Sequence, residues 1–150
     1  MQTEQVSDVL IDVAARLILP RFGSLQSADI QEKAPGDLVT VADREAEVEI
    51  GRILLQSDPN ALIVGEEGVF AEPSSLDQLP NARHAWVIDP VDGTRNFARG
   101  RGDFAVMLAE VRDGVTTRGW IWQPVHSRMY VAERGAGVTC NGNQLLPPPP

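Results

Sequence analysis

The chain has 150 residues, a length that suits one compact domain, and its 43% hydrophobic content is enough for a buried core. A net charge of −8 argues against sequence-independent binding of nucleic acid and against attachment to an anionic membrane. The single cysteine, Cys140, excludes an internal disulfide and a thiolate-rich metal site. There is no basic signal-peptide region and no membrane-length apolar run, so we expect a cytoplasmic protein.

Two amphipathic helices are predicted in the first part of the chain. Apolar residues over Val6–Leu17 recur with a helical period, and Pro20 should kink or end this helix. A second helix is predicted to begin near Ala42, with Thr40 or Asp43 as its cap. The turn-forming sequence Asp58-Pro59-Asn60 should end it.

Strands dominate the rest of the chain. Asp113-Gly114 and Asn141-Gly142 are hairpin signals, whereas Ser24–Gly36 and Val69–Arg83 are interpreted as loops. The pattern predicts an α+β fold over residues 1–150, with two N-terminal helices packed on a mostly antiparallel sheet. The predicted strands are Ala61–Val64, Ala85–Ile88, Phe104–Val111, Val115–Gln123, Met129–Glu133 and Gly137–Cys140.

Acidic residues follow two of the predicted strands. Asp89 comes directly after Ala85–Ile88, and Asp92 lies three residues further on. Gly65-Glu66-Glu67 follows Ala61–Val64. Carboxylates that meet at the ends of neighbouring strands indicate a site for a hard divalent cation, with phosphate as the natural ligand.

The residues around the two aspartates suit that chemistry. The intervening proline removes an N–H, which leaves the Val91 carbonyl as a neutral oxygen ligand, and a tight turn should bring Asp92 beside Asp89. Gly93 permits unusual backbone angles, and the hydroxyl of Thr94 can cap the helical turn that follows, whose free N–H groups suit phosphate. Because all the donors are oxygen atoms, Mg²⁺ or Mn²⁺ is favoured over Zn²⁺.

Simpler interpretations exist for each of these features alone. Asp-Gly is also an ordinary turn signal, and Glu66-Glu67 could be a solvated pair. The haloacid-dehalogenase phosphatases, which use an aspartyl-phosphate, carry a D-x-D-G-T motif, but here the aspartates are three residues apart. That class is the alternative among enzymes. His84 and His126 share no ligand spacing and are expected to be exposed loop residues.

At this point the chain resembles the inositol monophosphatase family, a group within the lithium-sensitive, Mg²⁺-dependent phosphatases. The resemblance rests on three blocks in order and on a later one around Met129–Gly142. The three are Asp37-Leu38-Val39-Thr40-x-x-Asp43, then Gly65-Glu66-Glu67, then Asp89-Pro90-Val91-Asp92-Gly93-Thr94-x-Asn96-Phe97. The resemblance implies the N-terminal half of a layered αβαβα fold.

The resemblance also implies an activity: Mg²⁺-dependent hydrolysis of a small phosphate monoester by in-line attack of a metal-activated water. It implies a homodimer as well, with no nucleic-acid or membrane partner. Lys33 matches a basic residue of the family, although a lone loop lysine is usually solvated. By position, the metal ligands are Glu66, Asp89, the Val91 carbonyl and Asp92; the catalytic residues are Asp43, Glu66 and Thr94; and Asp92, Gly93 and Thr94 contact the substrate.

The chain departs from the family after this first half. The family's second half supplies a further aspartate in a Trp-Asp motif, and no Trp-Asp pair occurs here. We therefore expect the first metal to bind, the second to bind weakly, and an apolar face of the sheet to lie exposed. The alternative is a catalytically incomplete domain that only binds metal or a partner. The substrate stays open among inositol phosphate, histidinol phosphate, and sugar or nucleotide bisphosphates.

Overall fold

The computed structural model describes residues 1–146; the proline run Pro147–Pro150, for which the sequence predicts an extended end, lies outside the described residues. The predicted helices and strands occur in the predicted order, with further elements between them. The α-helices are α1 (Thr3–Val13), α2 (Val41–Ser57), α3 (Glu66–Ala71) and α4 (Thr94–Ala98). The strands are β1 (Ile30–Ala34), β2 (Asp37–Thr40), β3 (Leu62–Gly65), β4 (His84–Asp92), β5 (Ala105–Arg112), β6 (Val115–Gln123), β7 (Arg128–Glu133), β8 (Gly137–Cys140) and β9 (Asn143–Leu145).

Both predicted N-terminal helices are present. Helix α1 continues as a π-helical segment over Ala14–Ile18 and a 3-10 turn over Leu19–Arg21, so the helical path ends close to the predicted proline. Helix α2 begins after Thr40, whose hydroxyl accepts a hydrogen bond from the Ala42 N–H at 3.2 Å. The Asp43 carboxylate accepts the Thr40 N–H at 2.9 Å in return, which completes a capping box.

The main sheet has seven strands in the order β3-β4-β5-β6-β7-β8-β9. Strand β3 runs parallel to β4, and every other neighbouring pair is antiparallel, which confirms the mostly antiparallel prediction. The parallel pair is important for function, because the ends of β3 and β4 meet at one edge of the sheet. Strands β1 and β2 form a separate antiparallel hairpin.

The two predicted loops were wrong. The segment Ser24–Gly36 contains strand β1, whose side chains are mostly exposed and show no alternation of apolar residues. The segment Val69–Arg83 contains the end of α3 and a 3-10 helix over Pro73–Asn81. A proline at the first helical position is compatible with a helix, so Pro73 does not indicate a loop; Pro80 lies inside the 3-10 helix, near its end.

The helices cover one face of the main sheet. The rings of Trp86 and Trp120 lie 5.9 Å apart beneath α1 and α2. We call the opposite face the open face; its apolar residues include Ile121 and Val138, which are 41% and 39% exposed. This agrees with the expected exposed sheet face. The buried core on the helix side is formed by Val6, Leu10, Val13, Ile18, Ala46, Ile50, Leu54, Trp86, Ile88, Val106, Leu108 and Trp120.

Among the described residues, none of the helices combines the length and the apolar character needed to cross a membrane.

A buried carboxylate, Glu110, joins the middle strands at the end of the sheet remote from the acidic motif. It is 2% exposed and accepts hydrogen bonds from Arg118 at 2.7 and 2.9 Å and from Arg112 at 2.9 Å. His84 is buried between Glu110 and Asp58, so its predicted exposure was wrong. Burial alone would raise the pKa of Glu110, but the hydrogen bonds from Arg118, Thr117 and Arg112 and the positive charge of Arg118 together outweigh it and lower this pKa to about 2.

We predict that Glu110→Gln lowers the free energy of unfolding at pH 7 by about 3 kcal/mol, because it leaves Arg118 without its buried partner. Since the folded-state pKa of Glu110 is depressed from 4.5 to about 2, this contribution is present above pH 4.5 and is lost as the pH falls toward 2.

Urea unfolding at pH 7, 4.5 and 3 measures the effect. The difference between wild type and variant should shrink across this series. Glu45→Gln is the matched control, because its half-exposed ion pair with Arg21 should contribute less than about 1 kcal/mol. An equal difference at pH 7 and pH 3 would contradict the prediction.

Candidate metal and phosphate site

A β-bulge places the two motif aspartates on the same face of the sheet. Asp89 pairs with Met107 and Asp92 pairs with Ala105, so three steps along β4 oppose two steps along β5. Residues three apart in a regular strand point to opposite faces, and the extra residue of the bulge restores the common face. The predicted tight turn was therefore wrong, because strand β4 runs through Pro90 to Asp92.

Of the two aspartates in the third motif block, Asp89 is the less exposed. Its Oδ1 atom is buried and has no hydrogen-bond partner among the described residues. Burial, together with the negative charges of Glu66 and Asp92, raises the pKa of Asp89 to about 7. An unpartnered carboxylate oxygen beside two more carboxylates is a position at which a cation would be strongly favoured.

Glu66 reaches the site because β3 and β4 are parallel neighbours. Gly65 pairs with Ile88, so Glu66 follows the end of β3 at the level at which Asp89 follows on β4. A cavity of about 320 Å³ lies at this edge of the sheet. It is lined by Glu66, Asp89, Val91, Asp92, Gly93 and Thr94, which are all the predicted metal and phosphate contacts.

Lys33 forms ion pairs with the carboxylates of Glu66 and Glu67. Its ammonium group lies 2.8 Å from Glu66 Oε1 and 3.0 Å from Glu67 Oε1, and its side chain is only 2% exposed. Burial alone would lower the pKa of Lys33, but the hydrogen bonds to these glutamates raise it above its ordinary value. The interpretation of Lys33 as a solvated loop residue was therefore wrong.

Asp43 and Thr94 are in direct contact, although 51 residues separate them. The Thr94 hydroxyl lies 3.1 Å from Asp43 Oδ1 and 2.9 Å from the Val91 carbonyl oxygen, to either of which it can donate. Asp43 is fully buried, and burial raises its pKa against the lowering effect of hydrogen bonds from Thr40 and Thr94. The pair links the start of α2 to the start of α4.

Gly93 is required by both backbone angle and space. Its φ of +89° lies in the left-handed region, and a Cβ atom there would lie 2.9 Å from the Asp103 carbonyl oxygen. Gly93 is the N-cap residue of α4, and Gly93 and Thr94 at the start of that helix line the cavity. This is the placement that the predicted phosphate contact needs.

Arg95 was not among the predicted site residues. Its guanidinium donates to the Gly36 carbonyl oxygen at 2.7 Å, which fixes the tip of the β1–β2 hairpin beside α4. Gly36 has a φ of +79°, and a Cβ atom there would lie 2.9 Å from the same guanidinium. The contact joins positions 59 residues apart, so no local sequence pattern reveals it.

The donor set fits a divalent cation in its chemistry. Carboxylate and carbonyl oxygens line the cavity, and one of them, on Asp89, has no partner. Across residues 1–146, however, no three His, Cys, Asp or Glu side chains are gathered as closely as a single metal ion requires. Glu66 bonds to Lys33 through its Oε1 atom, while its negative charge also acts on Asp89.

Comparison of the sequence with known proteins points to one family. A profile described as the inositol monophosphatase family matches residues 2–149. The chain is 35% identical over 132 residues to the inositol-1-monophosphatase of Rhizobium meliloti, and 38% identical over 132 residues to the Nus factor SuhB of Pseudomonas aeruginosa. Each match covers 88% of this chain and 47% of the relative.

The fold gives the same result. The solved IMPase of Thermotoga maritima superposes with a TM-score of 0.81 at 29% identity, over 97% of this chain and 53% of that one. The chain thus spans about half the length of the curated relatives it matches. With a family match across almost all of its residues and a shared fold, the chain belongs to the inositol monophosphatase family.

Proposed function

We propose that this chain forms the metal-binding part of a Mg²⁺-dependent phosphatase that hydrolyses a small phosphate monoester. The observation that carries the proposal is the half-buried Asp89 carboxylate, which has an unpartnered oxygen and lies beside two further carboxylates. Mn²⁺ has similar ligand preferences and would serve in its place. Names among the relatives include both inositol-1-monophosphatase and Nus factor SuhB, and the site chemistry supports the first.

The proposed ligands are Glu66, Asp89, Asp92 and the Val91 carbonyl oxygen. When bound, Mg²⁺ would activate a water molecule and neutralise charge on the phosphate. Thr94 now donates to the Val91 oxygen or to Asp43, so it can leave the carbonyl free by turning its hydroxyl to the carboxylate. Glu66 would exchange its contact with Lys33 for a contact with the metal.

In this proposal, Asp43 and Thr94 accept a proton from the attacking water. The hydroxyl of Thr94 can accept a hydrogen bond from the attacking water while it donates its own proton to Asp43. Burial raises the pKa of Asp43, which makes its carboxylate a better proton acceptor. The backbone N–H groups of Gly93 and Thr94 would bind phosphate oxygens at the start of α4, beside Asp92.

A second candidate is a domain that binds metal without turnover. It is favoured by one observation, that the chain covers only about half of its curated relatives. The dehalogenase-type alternative receives no support from the family match, and it would require a trapped aspartyl-phosphate. A homodimer stays a prediction.

We predict that phosphate release from a panel of phosphate monoesters requires Mg²⁺ and falls at least about a hundredfold in Asp92→Asn, because the variant removes a charged ligand. Asp113→Asn is the matched control: it makes the same charge change at the β5–β6 turn, where φ is +48°, and asparagine accepts that angle.

Three results distinguish the candidates. Metal-dependent release that is lost only in Asp92→Asn supports the phosphatase. Metal binding without release by the wild-type chain supports the second candidate. Absence of metal binding at millimolar Mg²⁺, seen as no shift in melting temperature, would reject both.

We predict that divalent-metal affinity rises with pH up to about 7 and then levels off. The pKa of Asp89 is raised from 3.8 to about 7 in the metal-free fold, so binding below pH 7 must release a proton. Titration calorimetry with Mn²⁺ at pH 5.5, 6.5 and 8, in two buffers of different ionisation enthalpy, measures the metal affinity and the number of protons released on binding. Affinity should change by up to about tenfold per pH unit below 7.

The same raised pKa sets the stability of the metal-free chain. Between pH 3.8 and about 7 the folded state holds the Asp89 proton more tightly than the unfolded state does, so this group makes stability fall as the pH rises through that window. Asp89→Asn should remove this part of the pH dependence and raise the metal-free melting temperature at pH 8. A lower melting temperature for Asp89→Asn at pH 8 would show that the prediction is wrong.

A further inference from the structure

Helix α3, which begins with Glu66, is capped from another helix. Its own N-cap residue is Gly65, which has no side chain to satisfy the first N–H groups. The Glu47 carboxylate on α2 does so instead, through 2.7 Å from its Oε2 to the Glu67 N–H and 2.8 Å from its Oε1 to the Gly68 N–H. Glu47 is only 9% exposed, so these are two charge-assisted hydrogen bonds in a site that is largely closed to water.

The space around Gly65 is shaped to this carboxylate. A Cβ atom on Gly65 would lie 2.1 Å from Glu47 Cδ and 2.3 Å from its Oε1. The φ of Gly65 is −109°, which any residue can adopt, so glycine is needed here for room and not for its backbone freedom. The hydrogen bonds therefore hold the Glu47 carboxylate against the turn, and the absence of a side chain on Gly65 provides the space for it.

We infer that Glu47 is a positioning residue that sets the direction of Glu66 toward Asp89 by fixing the backbone of the Gly65–Gly68 turn. The inference rests on the proposed function, because it assigns Glu47 a part in metal binding. Lys33 contacts the Glu66 side chain directly, whereas the hydrogen bonds of Glu47 are to main-chain N–H groups.

Glu47 can influence Glu66 because Glu66 occupies the first helical position, where the backbone path sets the direction of its side chain. Glu66 is the first residue of α3, so its Cα–Cβ direction is set by the path of the chain between β3 and the first helical turn. Two short bonds on the next two residues fix that path. Groups that orient a metal ligand from behind typically change metal affinity by about 10- to 100-fold when they are removed.

The first test is Glu47→Gln, because glutamine keeps the shape but turns an N–H₂ group toward one of the two backbone N–H donors. In the metal-free chain, we expect the amide hydrogens of Glu67 and Gly68 to lose most of their exchange protection, measured by NMR. The Mn²⁺ dissociation constant, measured by calorimetry at a temperature well below the melting transition, should rise by at least about tenfold.

The matched control is Glu49→Gln on the same helix. Glu49 pairs with Arg16 and Arg52, away from the turn, so the variant makes the same charge change nearby without touching the two amides. If the Glu47 effect came only from lower stability of α2, both variants would weaken Mn²⁺ binding alike. That result would overturn the inference.

A second variant approaches the same contact from the other side. Gly65→Ala keeps the charge of Glu47 but pushes its carboxylate away, so it should also weaken Mn²⁺ binding. In a Glu47→Ala background the added methyl group meets no carboxylate, so Gly65→Ala should then have little further effect. Additive losses would show that the two positions act separately and would overturn the inference.

The two readouts also separate this inference from the proposed function. If wild type binds no Mn²⁺, the proposed function fails. The exchange protection of the Glu67 and Gly68 amide hydrogens then decides alone whether Glu47 holds the turn. If wild type binds Mn²⁺ and Glu47→Gln binds it equally well, the proposed function stands and the positioning role is wrong.

Discussion

Partial burial of a carboxylate that has no internal partner is the constraint around which this structure is arranged. Asp89 lies in the second half of strand β4, which is buried along most of its length, and its Oδ1 atom has no hydrogen-bond partner among the described residues. Burial and the neighbouring carboxylates of Glu66 and Asp92 disfavour its charge. The bulge in β4 and the parallel pairing of β3 bring those groups together, at a cost that only a cation or a proton can offset.

Much of the fold follows from periodicity in the sequence. The helical spacing over Val6–Leu17 and the cap at Thr40 predicted two helices that the structure contains, and the alternating runs after Phe104 predicted the antiparallel strands. Strand β1 escaped prediction because nothing in its own sequence indicates that it pairs with β2. The burial of Lys33 likewise depends on a distant contact, with Glu66. The residues of β1 carry no apolar alternation of their own.

The candidate site was predictable to a similar extent. Strand ends placed Glu66, Asp89 and Asp92 together in one cavity, as the sequence suggested. The bulge that aligns the aspartates was not visible, because a strand that continues through a proline and a turn at that proline have the same local signature. Glu47 and Arg95 act across 20 and 59 residues on backbone atoms, and such contacts leave no mark in the spacing of side chains.

The buried ammonium group of Lys33 has a consequence for the order of events in the life of the protein. It pairs with Glu66 and Glu67, and Glu66 is a proposed metal ligand. If Mg²⁺ binds as proposed, loading would exchange one cation for another. The hairpin that carries Lys33 would take part in that exchange, so the rate at which newly made protein becomes loaded would depend on the hairpin as well as on the supply of metal.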